Sequence, residues 1–162
     1  HYYFSAFKKL LNKDDRLAFL PACGVSNVPN LVSVLIGWSC KYKAVFDDDA
    51  QSGRKAYNLL KEKFYEGKDD ISHQNILKVK DCNGIEDIFD SKDFYKFALN
   101  ETASRNSKDL NSKLAEGKKE LLARLFLERV NKNEVKLNTN SIKNIENVFT
   151  WIYEKFDIKK TN

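Results

Sequence analysis

The sequence is poor in the residue types that build disulfide frameworks and zinc sites. It has three cysteines and two histidines in 162 residues. The cysteines, Cys23, Cys40 and Cys82, form no Cys-x-x-Cys pair, so we expect reduced thiols and no disulfide framework. His1 and His73 stand alone, without a second ligand at metal-binding spacing. No histidine is placed to activate Cys23, so the sequence gives no support to cysteine-based catalysis.

Long apolar segments are also absent. No stretch approaches 18 consecutive apolar residues and no signal peptide is recognisable, so we expect a cytoplasmic protein that does not bind a membrane. A length of 162 residues suits one domain, or one domain with a helical extension. The net charge of +5, from 28 Lys and Arg against 23 Asp and Glu, is a mild excess. It allows a polyanionic partner without requiring one.

The chain is organised around a run of three aspartates, Asp47, Asp48 and Asp49. The preceding residues 41–46 are rich in β-branched and aromatic side chains and predict a buried strand, and helical spacing begins near Gly53. Open α/β sheets bind ligands at the carboxyl ends of their strands, so the aspartates are expected at such an edge. A cluster of carboxylates suits Mg²⁺, Mn²⁺ or Ca²⁺. The alternative is structural, because aspartate is common after a strand as a turn former or a helix N-cap.

Hydrophobic periodicity predicts that strands and helices alternate before residue 100. The predicted helices cover residues 2–12, 26–36 and 53–66, and the predicted strands cover residues 17–20, 41–46 and 76–79. In the helix after Gly53, we expect Ala56, Leu59, Leu60 and Phe64 to be buried. This order predicts an α/β fold in which helices flank a parallel sheet.

From residue 100 onward the composition changes. Residues 100–112 are polar and are typical of a linker. Two helices are expected after it, a long one that carries Leu114, Leu121, Leu122, Leu125, Phe126 and Val130, and a last one that carries Ile142, Ile145, Val148, Phe149, Ile152 and Phe156. The predicted domains are therefore an α/β core over residues 1–99 and a linker with a C-terminal helical extension over residues 100–162.

Three segments, in the order of a known family, support a more specific hypothesis. They are Leu20-Pro21-Ala22-Cys23-Gly24 with Asn27 and a helix after it, the acidic strand end with Gly53-Arg54-Lys55-Ala56, and Ile85-Glu86-Asp87-Ile88-Phe89. Over residues 17–89 the chain resembles the topoisomerase-primase (Toprim) domain. More narrowly, it resembles the Toprim domain of overcoming-lysogenisation-defect (OLD) family nucleases, which join an ABC-type ATPase to a C-terminal Toprim nuclease. Gly117-Lys118 also resembles that family's late Gly-Lys motif.

This resemblance implies a nuclease site that holds divalent metal ions, Mg²⁺ or Mn²⁺, in a two-metal arrangement. The family's metal ligands map onto Asp47 and Asp49 with Asp48 between them, and onto Glu86 and Asp87, while its catalytic lysine maps onto Lys118. A glutamate that the family carries on the strand before the first helix has no counterpart, because this sequence begins at that helix. We therefore expect a Toprim-like sheet that lacks its first strand and a part of a larger enzyme that is catalytically incomplete by itself.

In such a site one cation activates water and the second stabilises the leaving oxygen. Lys118 would neutralise charge that develops on the phosphate. DNA phosphates would be contacted by Arg54, Lys55 and Lys119, which position a backbone without reading sequence. The structural alternatives are a solvated helix face for these four cations and a helix cap for the carboxylates at residues 86 and 87.

The loop before the second helix has two interpretations as well. Gly24 would allow the backbone to approach a phosphate, and Ser26 or Asn27 would orient an acidic ligand. Alternatively, the loop is a strand-to-helix turn that Ser26 or Asn27 caps.

The resulting hypothesis is a metal-dependent DNA endonuclease module of a larger prokaryotic ATPase-nuclease with a role in phage defence. Its partners would be DNA, the upstream ATPase domain of the same protein and further copies of the full-length protein. ATP would act only through that ATPase domain. The main alternative is a non-catalytic domain for DNA binding or dimerisation with a structural cation. A Toprim primase or topoisomerase remains open. A phosphotransfer receiver is least favoured, because Asp14 and Asp15 precede the first predicted strand.

Overall fold

The computed structural model describes residues 1–13, 16–22, 24–49, 53–101 and 109–156. The described chain is a mixed α/β protein that divides into two compact units. Unit one contains the described residues of His1–Leu20 and Gly84–Phe149, and unit two contains those of Pro21–Asn83 together with residues 150–156. Residues on both sides of residue 99 belong to unit one, and the division into an α/β core and a helical extension stays a prediction.

Most of the described elements are helices, and two are strands. They are α1 (Tyr2–Leu10), α2 (Val28–Gly37), β1 (Ala44–Asp47), α3 (Gly53–Tyr65), α4 (Asp69–Asn75), β2 (Ile76–Val79), α5 (Ser91–Asp93), α6 (Asn111–Leu114), α7 (Lys119–Asn131) and α8 (Thr139–Lys155). Short 3₁₀ helices cover Val25–Asn27 and Ile85–Ile88, and a π-helix covers Phe94–Leu99. Among these helices, none is both long and apolar enough to cross a membrane.

Unit two is built on a pair of parallel strands. β1 pairs with β2 in a register that places Ala44 opposite Ile76 and Asp47 opposite Val79. Parallel strands cannot be joined by a tight turn, and here α3 and α4 form the crossover between them. The core of this unit consists of Val28, Val32, Phe46, Ala56, Leu60, Tyr65 and Ile76. Both strand pairing and helix packing therefore fix the end of β1, where the aspartates begin.

Aromatic side chains form the core of unit one. Phe7 and Phe126 are fully buried, and the rings of Tyr3 and Phe89 pack between them. The centroids of Phe89 and Phe126 lie 5.0 Å apart in an edge-to-face arrangement. Such pairs contribute about 0.5–1.5 kcal/mol beyond the burial of their area. This cluster joins α1, α7 and the segment after the 3₁₀ helix Ile85–Ile88, which carries two of the predicted site residues.

Several sequence predictions are confirmed. A helix begins at Tyr2, another ends at Gly37, and a third begins at Gly53. Strands are present at residues 44–47 and 76–79, and they are parallel. The prediction of a mixed α/β fold is thus correct at this level.

The strand predicted at residues 17–20 is not formed. These residues are irregular, with Leu17 buried and Leu20 57% exposed. A short apolar run becomes a strand only where a neighbouring strand takes up its backbone groups. Here the carbonyl of Leu17 accepts a hydrogen bond from Lys8 Nζ at 3.1 Å. Within the described residues the parallel sheet consequently has two strands, not three.

Two further predictions need correction. The single long helix expected from Leu114 to Val130 is divided into α6 and α7, because Gly117 between them has φ +75°, which a helix interior does not accommodate. In α3, Leu59 is 47% exposed and does not belong to the buried face, whereas Ala56 and Leu60 are buried as expected.

Candidate functional site

The acidic end of β1 is the first part of the predicted site. Asp47 is the last residue of the strand, and Asp48 and Asp49 follow it. The buried ring of Phe46 anchors the strand in the core of unit two. The backbone N–H of Asp48 donates to the carbonyl of Cys82 at 2.6 Å, so the chain after β1 remains bound to the chain after β2.

Asp48 is the centre of an ion-pair cluster. Lys78 Nζ, from β2, lies 3.2 Å from Asp48 Oδ1. Arg54 Nε, from the first turn of α3, lies 3.8 Å from the same oxygen. The Asp48 side chain is 25% exposed and that of Lys78 is 35% exposed. The carboxylate therefore joins the two strands to α3, and its charge is compensated by two cations.

Asp49 lies at the start of α3. Its Oδ2 accepts the backbone N–H of Gly53 at 3.4 Å, and its carbonyl accepts the N–H of Arg54 at 3.3 Å. Helix N-termini leave N–H groups without helical partners, and a carboxylate at this position satisfies one of them and favours the helix dipole. A Cβ on Gly53 would lie 2.5 Å from the carbonyl oxygen of Asp47, so only glycine fits there. These contacts are those of a helix N-cap, which is the structural alternative to metal binding for Asp49.

The described residues do not by themselves form a metal centre. Among them, no group of three or more His, Cys, Asp or Glu side chains converges in a way that could hold a metal ion. Asp48 is bound to two cations and Asp49 accepts hydrogen bonds at the start of α3. The described part of the acidic edge thus does not fit a complete Mg²⁺ or Mn²⁺ site, and we assign no reaction step to a metal.

Glu86 and Asp87 belong to unit one, in the 3₁₀ helix Ile85–Ile88. The Glu86 side chain is 3% exposed, and its Oε2 lies 3.8 Å from Lys119 Nζ. Burial, together with the negative charge of Glu86, raises the pKa of Tyr3. The nearby Gly84 leaves space for this carboxylate, because a Cβ there would lie 2.7 Å from Glu86 Oε2.

Asp87 joins two short helices through its two carboxylate oxygens. Oδ2 accepts the backbone N–H of Gly84 at 3.2 Å, which caps the 3₁₀ helix, and Oδ1 accepts the N–H of Ser112 at 2.8 Å, at the start of α6. The neighbouring Asn111 is buried, and its Nδ2 donates to the carbonyls of Glu86 and Phe89 at 3.0 and 2.9 Å. Capping, the structural alternative for Asp87, is therefore observed.

The predicted basic residues lie at the surface. Lys118 is exposed at the N-cap position of α7, directly after Gly117. Lys119 is 48% exposed and pairs with Glu86. Arg54 is 60% exposed beside Asp48, and Lys55 is also exposed. The structure thus places one predicted cation beside a carboxylate in each unit.

The loop before α2 is exposed at Gly24, Ser26 and Asn27. Gly24 has φ +106°, a conformation that favours glycine, and its carbonyl accepts the N–H of Asn27 at 3.1 Å. Asn27 occupies the N-cap position of α2, but its side chain makes no capping hydrogen bond there. Cys23, Asp14 and Asp15 lie outside the described residues.

The predicted residues form two groups, each described within its own unit. Asp47, Asp48, Asp49 and Arg54 come together in unit two, and Glu86, Asp87 and Lys119 come together in unit one. Sequence reasoning missed Lys78, which pairs with Asp48. A lysine inside the otherwise apolar strand Ile-Leu-Lys-Val was the available indication, since a charged side chain in a partly buried strand needs solvent or an opposite charge.

A separate cleft of about 700 Å³ lies in unit one. It is lined by Lys92, Tyr95, Lys96, Phe97, Asn100, Glu101, Arg129 and Glu134. Arg129 donates to the carbonyl of Phe97 at 2.8 Å and so satisfies a carbonyl near the end of the π-helix. None of the predicted site residues lines this cleft.

Comparison with known proteins found no matching family model, no matching curated protein and no matching solved structure.

Proposed function

We propose that this chain is the Toprim-like nuclease module of a larger, ATP-dependent DNA endonuclease, and that the acidic end of β1 contributes to its metal-dependent hydrolysis of phosphodiesters. The observation that supports the proposal is the placement of Asp47, Asp48 and Asp49 at the carboxyl end of a strand in a parallel β–α–β unit. Ligands of open α/β sheets bind at such ends. Carboxylates are the ligands that Mg²⁺ and Mn²⁺ prefer.

In this proposal the side chains of unit two supply part of the centre. Asp47 and Asp49 would hold the metal ions, and such ions would supply the activation of water and the stabilisation of the leaving oxygen. Asp48 positions Lys78 and Arg54, with which it pairs at 3.2 and 3.8 Å. Among the described residues no three possible ligands converge on a metal position, so a complete centre would need ligands from outside them. We therefore expect the 162-residue chain alone to bind Mn²⁺ weakly and to cleave DNA poorly.

The test is cleavage of supercoiled plasmid with Mg²⁺ or Mn²⁺ by the natural polypeptide in which this sequence occurs. Wild type should nick or linearise the plasmid, and Asp47→Ala should abolish cleavage. Asp109→Ala is the matched control, because it removes an exposed aspartate of unit one that pairs with Lys113 at 3.2 Å. Lys118→Ala tests the predicted catalytic lysine in the same assay. Equal cleavage by wild type and Asp47→Ala would exclude the acidic end from the reaction.

A parallel assay uses the 162-residue chain alone. If this chain cleaves DNA strongly and Asp47→Ala does not, the centre is not incomplete as proposed. The proposal that the chain is a nuclease would still stand. Metal binding can be followed separately, by titrating Mn²⁺ and recording the electron paramagnetic resonance signal of the free ion.

One observation favours a second candidate, a non-catalytic DNA-binding or dimerisation domain. The charge of Asp48 is already compensated by Lys78 and Arg54, so this end of β1 holds together through contacts within the chain. If a cation has a purely structural role at this edge, adding a chelator should lower the melting temperature of the purified protein. If the cation serves catalysis, a chelator should stop cleavage and leave the melting temperature unchanged.

A further inference from the structure

We propose that Lys78 and Arg54 form a phosphate-binding pair at the carboxyl end of β1, and that Asp48 holds both cations in place until a phosphate of a nucleic acid replaces it. The inference rests on the proposed function and adds to it the group that contacts the backbone of the substrate. Lys78 carries the new assignment, because it was assigned no role from the sequence.

The ion-pair geometry is the first support. Lys78 Nζ and Arg54 Nε lie 3.2 and 3.8 Å from one carboxylate oxygen, Asp48 Oδ1. A lysine and an arginine that converge on one anionic oxygen present the donors that a phosphate oxygen accepts, with the guanidinium suited to two parallel hydrogen bonds. The Asp48 carboxylate thus occupies the position that an anionic ligand would take between the two cations.

Preorganisation of Lys78 is the second support. Its ammonium lies 5.5 Å from the centroid of the Tyr57 ring on α3, and its backbone is fixed opposite Phe46 in the parallel pair. The side chain is about one-third exposed, so the aliphatic part is held while the charged end reaches solvent. Ordering a lysine before binding reduces the entropy lost when it contacts a ligand.

The charges around the pair indicate a ligand with more than one phosphate. Asp47, Asp48 and Asp49 carry three negative charges, and Lys78 and Arg54, which pair with Asp48, together with the neighbouring Lys55 carry three positive ones, so the formal charges of these six residues cancel. A single small anion gains little from such a site. A nucleic acid strand brings neighbouring phosphates that other exposed lysines neutralise, and the gain from each contact adds to the binding constant. We therefore assign the site to a phosphate of DNA and not to inorganic phosphate.

The experiment measures, by fluorescence anisotropy and in the presence of a chelator, the binding of a labelled DNA duplex to the natural polypeptide in which this sequence occurs. Lys78→Gln removes the charge and keeps a polar side chain that is one atom shorter. Loss of one phosphate contact should reduce the slope of log K against log salt by about 0.9, which is a roughly eightfold loss of affinity at 0.1 M salt. Lys78→Arg should keep the wild-type slope. Asp48→Asn should raise the affinity, because the internal competitor of the phosphate loses its charge.

Lys63→Gln is the matched control. Lys63 lies on α3, and its ammonium is 5.4 Å from the ring of Phe64, a contact like that of Lys78 with Tyr57. It is nine residues beyond Arg54, roughly 13 Å along the helix axis. We expect its substitution to change the affinity less than twofold. Inorganic phosphate at millimolar concentration should not displace the duplex.

The outcomes separate this inference from the proposed function. If wild type binds DNA and Lys78→Gln behaves like Lys63→Gln, the phosphate-binding role of Lys78 is wrong and the nuclease proposal stands. A decrease in affinity in Asp48→Asn would also overturn the inference. If wild type neither binds DNA nor cleaves it with Mg²⁺ or Mn²⁺, the proposed function is wrong and the inference fails with it. If inorganic phosphate displaces the duplex, the site is a general anion site and the assignment to DNA is overturned.

Discussion

Replacement of Gly84 by alanine tests whether the buried carboxylate of Glu86 is held as tightly as the structure indicates. A Cβ at this position would lie 2.7 Å from Glu86 Oε2, 2.8 Å from Ser112 Cβ and 3.1 Å from Lys119 Nζ. The backbone of Gly84 is extended, with φ −159°, so alanine brings no dihedral strain and the effect is purely steric. Glu86 is 3% exposed and cannot swing into solvent, and Ser112 Cβ is fixed by its own backbone.

Overpacking of this kind costs about 1–3 kcal/mol. For a chain of 162 residues, that corresponds to a decrease in melting temperature of roughly 2–12 °C. The assay is urea unfolding followed by circular dichroism, with the m-value checked against wild type. Gly37→Ala is the matched control, because nothing lies within 4 Å of a Cβ at the last position of α2. There alanine should be neutral or stabilise by up to about 1 kcal/mol. If Gly84→Ala is as stable as Gly37→Ala, Glu86 is not confined by its surroundings and the account of this cluster is wrong.

Three further substitutions in unit one test its packing and electrostatics. Asn111→Ala removes the side-chain donor of the carbonyls of Glu86 and Phe89, although the Glu86 carbonyl keeps the N–H of Phe89 at 3.3 Å. It should lower the free energy of unfolding by about 1–3 kcal/mol, against a change within about 0.5 kcal/mol for the exposed Lys113→Ala. Phe126→Ala, in the fully buried aromatic cluster, should cost about 3–5 kcal/mol, and the partly exposed Leu125→Ala clearly less; equal costs would contradict the packing. Tyr3 has a buried hydroxyl without a hydrogen-bond partner among the described residues, so Tyr3→Phe should raise the free energy of unfolding by about 1 kcal/mol. Folding raises the pKa of Tyr3, so as the pH rises the unfolded chain releases this proton before the folded chain does. The free energy of unfolding should therefore fall as the pH rises above about 10, and Tyr3→Phe should lessen that fall. An unchanged pH profile in Tyr3→Phe would contradict the raised pKa.

The sequence was sufficient for the elements whose periodicity is strong. The amphipathic pattern of α1 and the apolar run at residues 76–79 form a helix and a strand as predicted, and the strand predicted at residues 41–46 forms over Ala44–Asp47. It failed at residues 17–20, since an apolar run of four does not reveal whether a partner strand exists. It also failed at Gly117, because helical spacing on both sides conceals one residue in a left-handed conformation.

The candidate site shows the same limit in a different form. Sequence spacing identified the three aspartates and Arg54, but it could not show that Asp48 pairs with a residue 30 positions later. That contact depends on the parallel register, which sets Phe46 opposite Lys78 and is fixed by the crossover through α3 and α4. Likewise, Asp87 is recognisable as a carboxylate near a helix start, whereas its bond to Ser112 requires the fold.

The ion pairs of Asp48 change how a run of three aspartates should be interpreted. Adjacent carboxylates repel one another unless their charge is compensated, and a bound cation is one way to achieve this. Here Lys78 and Arg54 compensate the middle carboxylate, and N–H groups at the start of α3 interact with Asp49. Arg54 and the N–H groups come from the start of α3, and Lys78 comes from the paired strand β2, so the β–α–β unit itself stabilises this acidic end. A metal ion or a phosphate that binds at the acidic end of β1 must replace ion pairs that contribute about 0.2–1 kcal/mol each. A ligand with several charges can offset that loss of free energy. The ion pairs thus fit the proposed site, in which Asp48 orients Lys78 and Arg54 and a ligand replaces Asp48.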